Sequence, residues 1–201
     1  MKNGQKDDEK NYVIHRRLSM SNLPAIKAVS SNKITVFFLG IILLAISSKI
    51  AIPFYPVPMT LQTLVIYLIA GSMGIIGFYS TTSYLVIGLL GAPIFAAGGG
   101  PAYIASPTFG FLYGMVISSF FIAFLLNNIL KKDIFGITLS VLIGAIIIFV
   151  CGVVHLSAFI GLEKAMQAGL FPFIYSEGLK ILIAICAIYF LQNRKIFIRD
   201  K

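Results

Sequence analysis

The sequence predicts an all-α, polytopic membrane protein with six transmembrane helices, and three observations predict it. The 201-residue chain is 58% hydrophobic and only 11% charged, against about 25% charged in soluble domains, and its mean hydropathy is +0.94. Six apolar stretches divide it, each near the roughly 20 residues that cross a hydrocarbon core about 30 Å thick. Basic residues gather outside the first and last of these stretches. Lys2, Lys6, Lys10, Arg16, Arg17, Lys27 and Lys33 precede the first, and Arg194, Lys195, Arg199 and Lys201 follow the last. Such flanks hold both ends in the cytoplasm, because translocating them is disfavoured. The net charge of +9 is therefore read as a topology signal, with no nucleic acid as partner.

Residues 1–33 are polar and of mixed charge, with no apolar core of a cleavable signal. They read as a cytoplasmic tail, compatible with a short basic helix around His15 to Met20. The first span covers residues 34–52 and stops at Pro53, after which Pro53, Pro56 and Pro58 stiffen an aromatic loop containing Phe54 and Tyr55. The second starts near Thr60 and ends among the glycines between Gly71 and Gly77; the third covers 78–94 and contains Gly88, Gly91 and Pro93. These two are short, and read as two tilted helices in preference to one re-entrant hairpin. A Gly/Pro-rich loop, 96–107, leads to the fourth span at 108–130, closed by Lys131, Lys132 and Asp133. The fifth covers 134–160 and the sixth 173–191. Residues 34–192 thus form one six-helix transmembrane domain and 193–201 a basic cytoplasmic tail. With the N-terminus inside, the loops near Pro56, Gly99 and Glu163 face outward. The outer loops then carry one Lys, Lys164, against two in the inner 131–133 connection.

Charge inside a span costs a few kcal/mol and marks function by default. The candidates are Lys49, His155, Glu177 and Lys180. Glu177 and Lys180 stand at i, i+3 and share one helix face. They form either a mutual salt bridge that lowers insertion cost or a donor–acceptor pair facing a ligand cavity. Lys49, one turn before Pro53, fits a side chain snorkelling to the interface. His155 has no carboxylate at helical spacing and reads as a hydrogen-bonded packing residue. Cys151 and Cys186 sit within apolar runs and behave as small hydrophobes. The spacing of a catalytic triad, paired carboxylates or a metal site is missing, as is a phosphate-binding loop. No catalytic residue, metal or cofactor is therefore expected, and ATP hydrolysis must come from elsewhere. The rigid Pro53–Gln62 loop beside the permissive Gly98–Gly100 segment suits a wall and flexible flap over an outward-facing pocket; plain tight loops are the alternative.

Four strings carry a resemblance. Pro56-Val57-Pro58-Met59-Thr60-Leu61-Gln62-Thr63, Gly88-Leu89-Leu90-Gly91-Ala92-Pro93-Ile94-Phe95-Ala96, Gly98-Gly99-Gly100 and Pro107-Thr108-Phe109-Gly110-Phe111 closely resemble the BioY family over residues 34–192. These are the biotin-specific S components of energy-coupling factor (ECF) vitamin transporters. The resemblance implies the ECF S-component fold, an extracytoplasmic biotin pocket, and a partner module of a transmembrane T component and two ATPase subunits. It also implies a bacterial plasma-membrane location. In this family small residues on the first helix dock the T component; Gly40, Ser47, Ser48 and Ala51 occupy that place here. The family's sixth-helix motif, roughly Pro-Phe-x-x-Gly-Asp-x-x-Lys, corresponds to Pro172 through Lys180, with Glu177 for Asp and Ser176 for Gly.

Biotin presents ureido N–H donors and a carbonyl acceptor, a thioether ring and a carboxylate tail. A carboxylate accepts the ureido N–H, and an ammonium donates to the carbonyl or pairs with the tail. Gln62, Tyr84, Phe95 and the Gly98–Gly100 backbone are further lining candidates. The leading expectation is a biotin-capturing subunit working with an ECF module. A solitary biotin carrier is the alternative within transport. An intramembrane enzyme, for which His155 with Glu177 or Lys49 is the conceivable set, or a structural helix bundle, would be another class.

Overall fold

The computed structural model describes residues 32–193. The short helix expected around His15 to Met20 and the flanking basic tails lie outside that range. Within it the chain is all-α apart from one two-stranded ribbon.

Helix α1 (Lys33–Lys49) starts at Asn32, whose side chain accepts the Ile34 amide at 3.0 Å, satisfying one of the free donors of a first turn. Strands β1 (Ala51–Ile52) and β2 (Met59–Thr60) pair antiparallel and enclose the three prolines. Helices α2 (Gln62–Met73) and α3 (Ile75–Leu89) turn at Gly74, so this stretch folds as two helices. Gly74 has φ +60°, a conformation open to glycine, and Asn127 closes over it. A 3₁₀ turn (Pro101–Ala105) leads to α4 (Phe109–Phe124), which ends in a π-helical turn (Leu125–Ile129). Helix α5 (Ile134–Ile160) starts where the Asp133 carboxylate accepts the Gly136 amide at 2.8 Å. Helices α6 (Leu162–Gly169) and α7 (Phe173–Asn193) complete the fold.

Three helical segments are long and apolar enough to cross a membrane: Phe109–Ile129, Ile134–Ile160 and Phe173–Asn193. Helices α2 and α3 are shorter apolar helices. The outer surface suits lipid. On α1 the row Ile34, Phe38, Ile42, Ile46 and Ile50 is exposed, and comparable rows run along α5 and α7.

Twelve residues of α2 form the hub. This helix touches α1, α3, α4, α5 and α7, which is why Gln62, Thr63, Ile66, Tyr67 and Ile69 are all buried. A short helix encircled by neighbours can afford polar side chains, because partners surround it on every face.

Helix α6 is a departure from the sequence reading, which placed Glu163 and Lys164 in an outer loop. Ala165 and Gly169 pack inward, Gly169 against Leu156 and Phe111, while Glu163, Lys164 and Gln167 are exposed. Two turns with one apolar and one polar face are the mark of a helix lying along an interface.

Candidate substrate-binding site

Two turns into α7, Glu177 and Lys180 point inward against the start of α2. Both are buried, at 4% and 7% exposure. The Lys180 ammonium stands 3.2 Å from Glu177 Oε2, and both residues are held by the hub helix. Tyr67 donates to Glu177 Oε1 at 2.7 Å and Thr63 donates to Oε2 at 3.0 Å. Lys180 Nζ donates to the Thr60 carbonyl at 2.8 Å and to Thr63 Oγ1 at 3.2 Å. A buried ion pair survives desolvation only when its remaining donors and acceptors are matched, and here they nearly all are.

The count of partners shows what is left over. An ammonium has three donors, and Lys180 spends them on Thr60, Thr63 and Glu177. A carboxylate has about four acceptor positions; Glu177 fills three, leaving one on Oε1. Gln62 gives one amide N–H to Tyr84 Oη at 2.9 Å, leaving the other. Glu177, Lys180, Gln62, Thr60 and Thr63 line one cavity, with Val57, Pro58, Ala96, Phe111, Leu112, Met115, Phe149 and Phe173 as apolar walls and Tyr103 and Thr108, hydrogen-bonded to each other, completing it. It measures about 50 Å³, room for a few waters. One free acceptor and one free donor in an apolar setting suit a neutral ligand with an N–H and a C=O close together.

The other sequence candidates fall behind this wall. Phe95 is fully buried, its ring packed edge-on to Tyr84 and tilted over Tyr103. Ser48 and Tyr84 both donate to the Ile94 carbonyl, at 2.7 and 2.8 Å, and Lys49 donates to the Phe95 carbonyl at 2.6 Å. Phe95 also pairs with Gly98 through both backbone groups, and the Gly100 amide reaches the Gly88 carbonyl at 2.7 Å. The glycine segment is thus a pinned tongue rather than a flexible flap. Gly98 and Gly100 adopt positive φ, and a Cβ on Gly99 would run into the Ala92 carbonyl. Ala96, not the three glycines, reaches the cavity.

Docking residues fare differently. Gly40, Ser47 and Ser48 are buried against their own bundle, Gly40 closely enough that a Cβ would sit 2.7 Å from Ser80. The hydroxyls of Ser47 and Ser48 return to the α1 backbone at Leu44 and Ala45. These three side chains therefore face inward, and of the set only Ala51 is exposed. His155 Nε2 donates to the Ser106 carbonyl, 3.1 Å away, within a ring of Phe109, Tyr113 and Phe159. Neither it nor Lys49 lines the Glu177 cavity, so the conceivable catalytic set is not assembled.

A family model described as the BioY family matches residues 20–196. The chain belongs to the BioY family. A curated relative from Rickettsia prowazekii, "Probable biotin transporter BioY", is 31% identical over 163 residues, covering 78% of this chain and 81% of its own. "Biotin transporter BioY" of Thermotoga maritima is 33% identical over 146 residues, covering 71% of this chain and 85% of its own. Among solved structures, the crystal structure of the S-component for biotin from an ECF-type ABC transporter overlays with a TM-score of 0.73 at 24% identity. The overlay covers 83% of this chain and 95% of that one, and establishes the shared fold.

Membership of the BioY family makes the chain a membrane protein of a transporter family. Among the side chains that bond the buried pair, the sequence reading missed Thr63 and Tyr67, and it missed the aromatic walls Tyr103, Phe149 and Phe173. The signal of Thr63 and Tyr67 was present: two hydroxyl side chains at i, i+4 share a helix face, one turn after the Pro-Val-Pro string.

Proposed function

We propose that this chain is the substrate-binding membrane subunit for biotin uptake, capturing biotin at the extracytoplasmic face and delivering it inward with an ECF ATPase module. The observation that carries the reading is the buried Glu177–Lys180 pair, fixed by α2 and opening on a cavity with largely apolar walls. The BioY relatives named as biotin transporters and the fold shared with a biotin S-component support it. In this reading the ureido N–H fills the spare acceptor of Glu177 and the ureido carbonyl takes the free N–H of Gln62. Phe173, Phe149 and Tyr103 hold the ring system. Lys180, with no donor to spare, acts through Glu177, holding it oriented. A ligand lacking the ureido group strands both buried polar groups, which is how such a site discriminates.

The bicyclic ring exceeds a cavity of about 50 Å³, so entry requires the outer wall to move. The Val57–Pro58 loop is the wall held by the shortest ladder, two residues on each strand. In this proposal all six longer helices cross the bacterial plasma membrane, with both termini cytoplasmic, and a T component and two ATPase subunits supply the work; the subunit itself carries no catalysis. The test is equilibrium binding of biotin to the purified protein in detergent, with dethiobiotin and a ureido-free analogue as competitors. Saturable binding that keeps dethiobiotin, which retains the ureido group, and rejects the ureido-free analogue is expected. Absence of saturable biotin binding to folded protein overturns the reading. Uptake in cells should cease when the ATPase is inactivated; uptake that continues would make the chain a solitary carrier.

A further inference from the structure

Along the seam between α5 and α7 the bundle stands open. An apolar groove of about 530 Å³ runs there. Its α5 wall is the row Leu142, Ile146, Val150 and Val154, all exposed and one turn apart. Ile174 and Gly178 form the α7 side, and α6 closes one end with Leu162 and Met166. Gly178 leaves the floor bare, since a Cβ there would meet nothing within 4 Å. Glu177 is the one lining residue that is charged, and its carboxylate is committed to Tyr67, Thr63 and Lys180.

We propose that this groove seats one acyl chain of a bilayer phospholipid against the back of the ligand cavity. Both flanking helices are long and apolar enough to cross a membrane, so the groove opens sideways onto hydrocarbon. From residue 142 to 154 the helix rises roughly 18 Å, at about 1.5 Å per residue. Spread over that length, 530 Å³ is a channel roughly 30 Å² in section, wide enough for one extended hydrocarbon chain. The closed end fixes the direction. Helix α6 turns Glu163 and Lys164 to the outside and lies at headgroup level, so the chain runs from α6 toward the middle of the bilayer. Unfilled, the groove walls would lack dispersion partners on one side.

The seat matters because the two cavities share a wall. Glu177 and Phe149 line both. A chain lying in the groove completes the apolar surround of the buried pair and backs the Phe149 ring. This inference concerns the lipid alone and holds whatever ligand the polar cavity takes.

The experiment uses the full-length protein in nanodiscs of phosphatidylcholine, a fraction of it carrying a photoreactive diazirine in mid-chain, with adducts mapped by peptide mass spectrometry. Ile146, Val150 and Ile174 are 62%, 56% and 52% exposed, and Phe38, Ile42 and Ile46 on the α1 ridge are 56%, 53% and 55% exposed. The two sets therefore meet bulk lipid equally. A seated chain predicts several-fold more label on the groove set than on the α1 ridge. Gly178→Phe, which fills the floor without meeting a neighbour, should bring groove labelling down to the α1 level. Equal labelling of the two sets in the wild-type protein, which needs no variant, overturns the proposal. So does groove labelling that Gly178→Phe leaves unchanged.

Discussion

Two seams of the bundle solve the same problem by opposite means. In hydrocarbon, helices gain nothing from burying apolar surface against each other, so they associate through close packing or polar contacts. Between α4 and α5 the means is closeness. Gly110, Gly114, Gly144 and Gly152 let the two backbones approach until a Cβ at any of them would strike the opposite helix. Between α2 and α7 the means is polarity: Glu177 and Lys180 join Thr60, Thr63 and Tyr67 at one end, and Gln192 donates to the Gly71 carbonyl at 2.8 Å at the other. The first seam is a scaffold, the second a site. Holding helices together with charge is costly unless the charge also serves a ligand. Both seams reach the cavity, but α4 and α5 give it apolar wall through Phe111, Leu112, Met115 and Phe149, while its charged groups come from the α2–α7 seam.

The largest effect should come from breaking the ion pair. Glu177→Ala leaves the Lys180 ammonium buried without its counter-charge, a loss of about 3–5 kcal/mol. Biotin binding should be abolished and the melting temperature in detergent should drop. Glu177→Gln, which keeps the shape and one acceptor, should recover more of the stability than of the affinity. Unchanged binding in Glu177→Ala would remove the α2–α7 seam from the site altogether.

Next is the hydroxyl that orients the carboxylate. Tyr67→Phe removes one hydrogen bond to a charged group, worth about 1.5–3 kcal/mol, with the ring still filling its place. Biotin affinity should fall by about tenfold or more, since roughly 1.4 kcal/mol corresponds to each factor of ten. Thermal stability should fall with it. Full affinity in a folded Tyr67→Phe would show that Glu177 needs only Thr63 and Lys180 to hold its position.

The opposite seam should respond in the opposite sense. Gly114→Val places a Cβ 2.9 Å from that of Cys151 and 3.2 Å from the Ile148 backbone. Because one neighbour is backbone, the helices must part, at a cost of about 1–3 kcal/mol for overpacking. The melting temperature should fall while the folded fraction keeps its biotin affinity within a few-fold. A large affinity loss at constant stability would mean that the scaffold seam also shapes the site.

How legible these seams were in the sequence follows from their physics. Helix α5 and the start of α7 fall where the apolar runs placed them, because a long uninterrupted run bounded by Asp133 or Pro172 leaves little choice. Glu177 and Lys180 were visible because charge in an apolar run is conspicuous. Thr63 and Tyr67 left only a weaker signal, their shared helix face, since a Ser or Thr hydroxyl in a membrane helix more often satisfies its own backbone, as Thr81 and Ser140 do here, and a lone Tyr in an apolar run reads as packing. The orientation of α1 was also hidden. Small residues signal close approach without saying to what, and Gly40 and Ser48 approach α3 and the Ile94 loop, not a partner. The Gly98–Gly100 run was misread as loose for a related reason. Glycine permits mobility, but it equally permits the tight backbone pairing that pins this tongue.

The smallest effect, and the sharpest control on the comparison, is expected at His155. Like Glu177 and Lys180 it is an ionisable residue on a spanning helix, yet it is only half-buried and belongs to the α4–α5 side, with a hydrogen bond to the Ser106 carbonyl and three aromatic neighbours. His155→Phe keeps a flat ring among Phe109, Tyr113 and Phe159 and removes only that bond, worth about 1 kcal/mol. The melting temperature should shift slightly and biotin affinity should stay within a few-fold. Set beside Tyr67→Phe, the pair of variants deletes one hydrogen bond from each seam while keeping a ring in place. If His155→Phe cost as much affinity as Tyr67→Phe, the division between a scaffold seam and a binding seam would collapse, because the bond to Ser106 would then be setting the Tyr103 and Thr108 wall of the cavity as firmly as Tyr67 sets Glu177.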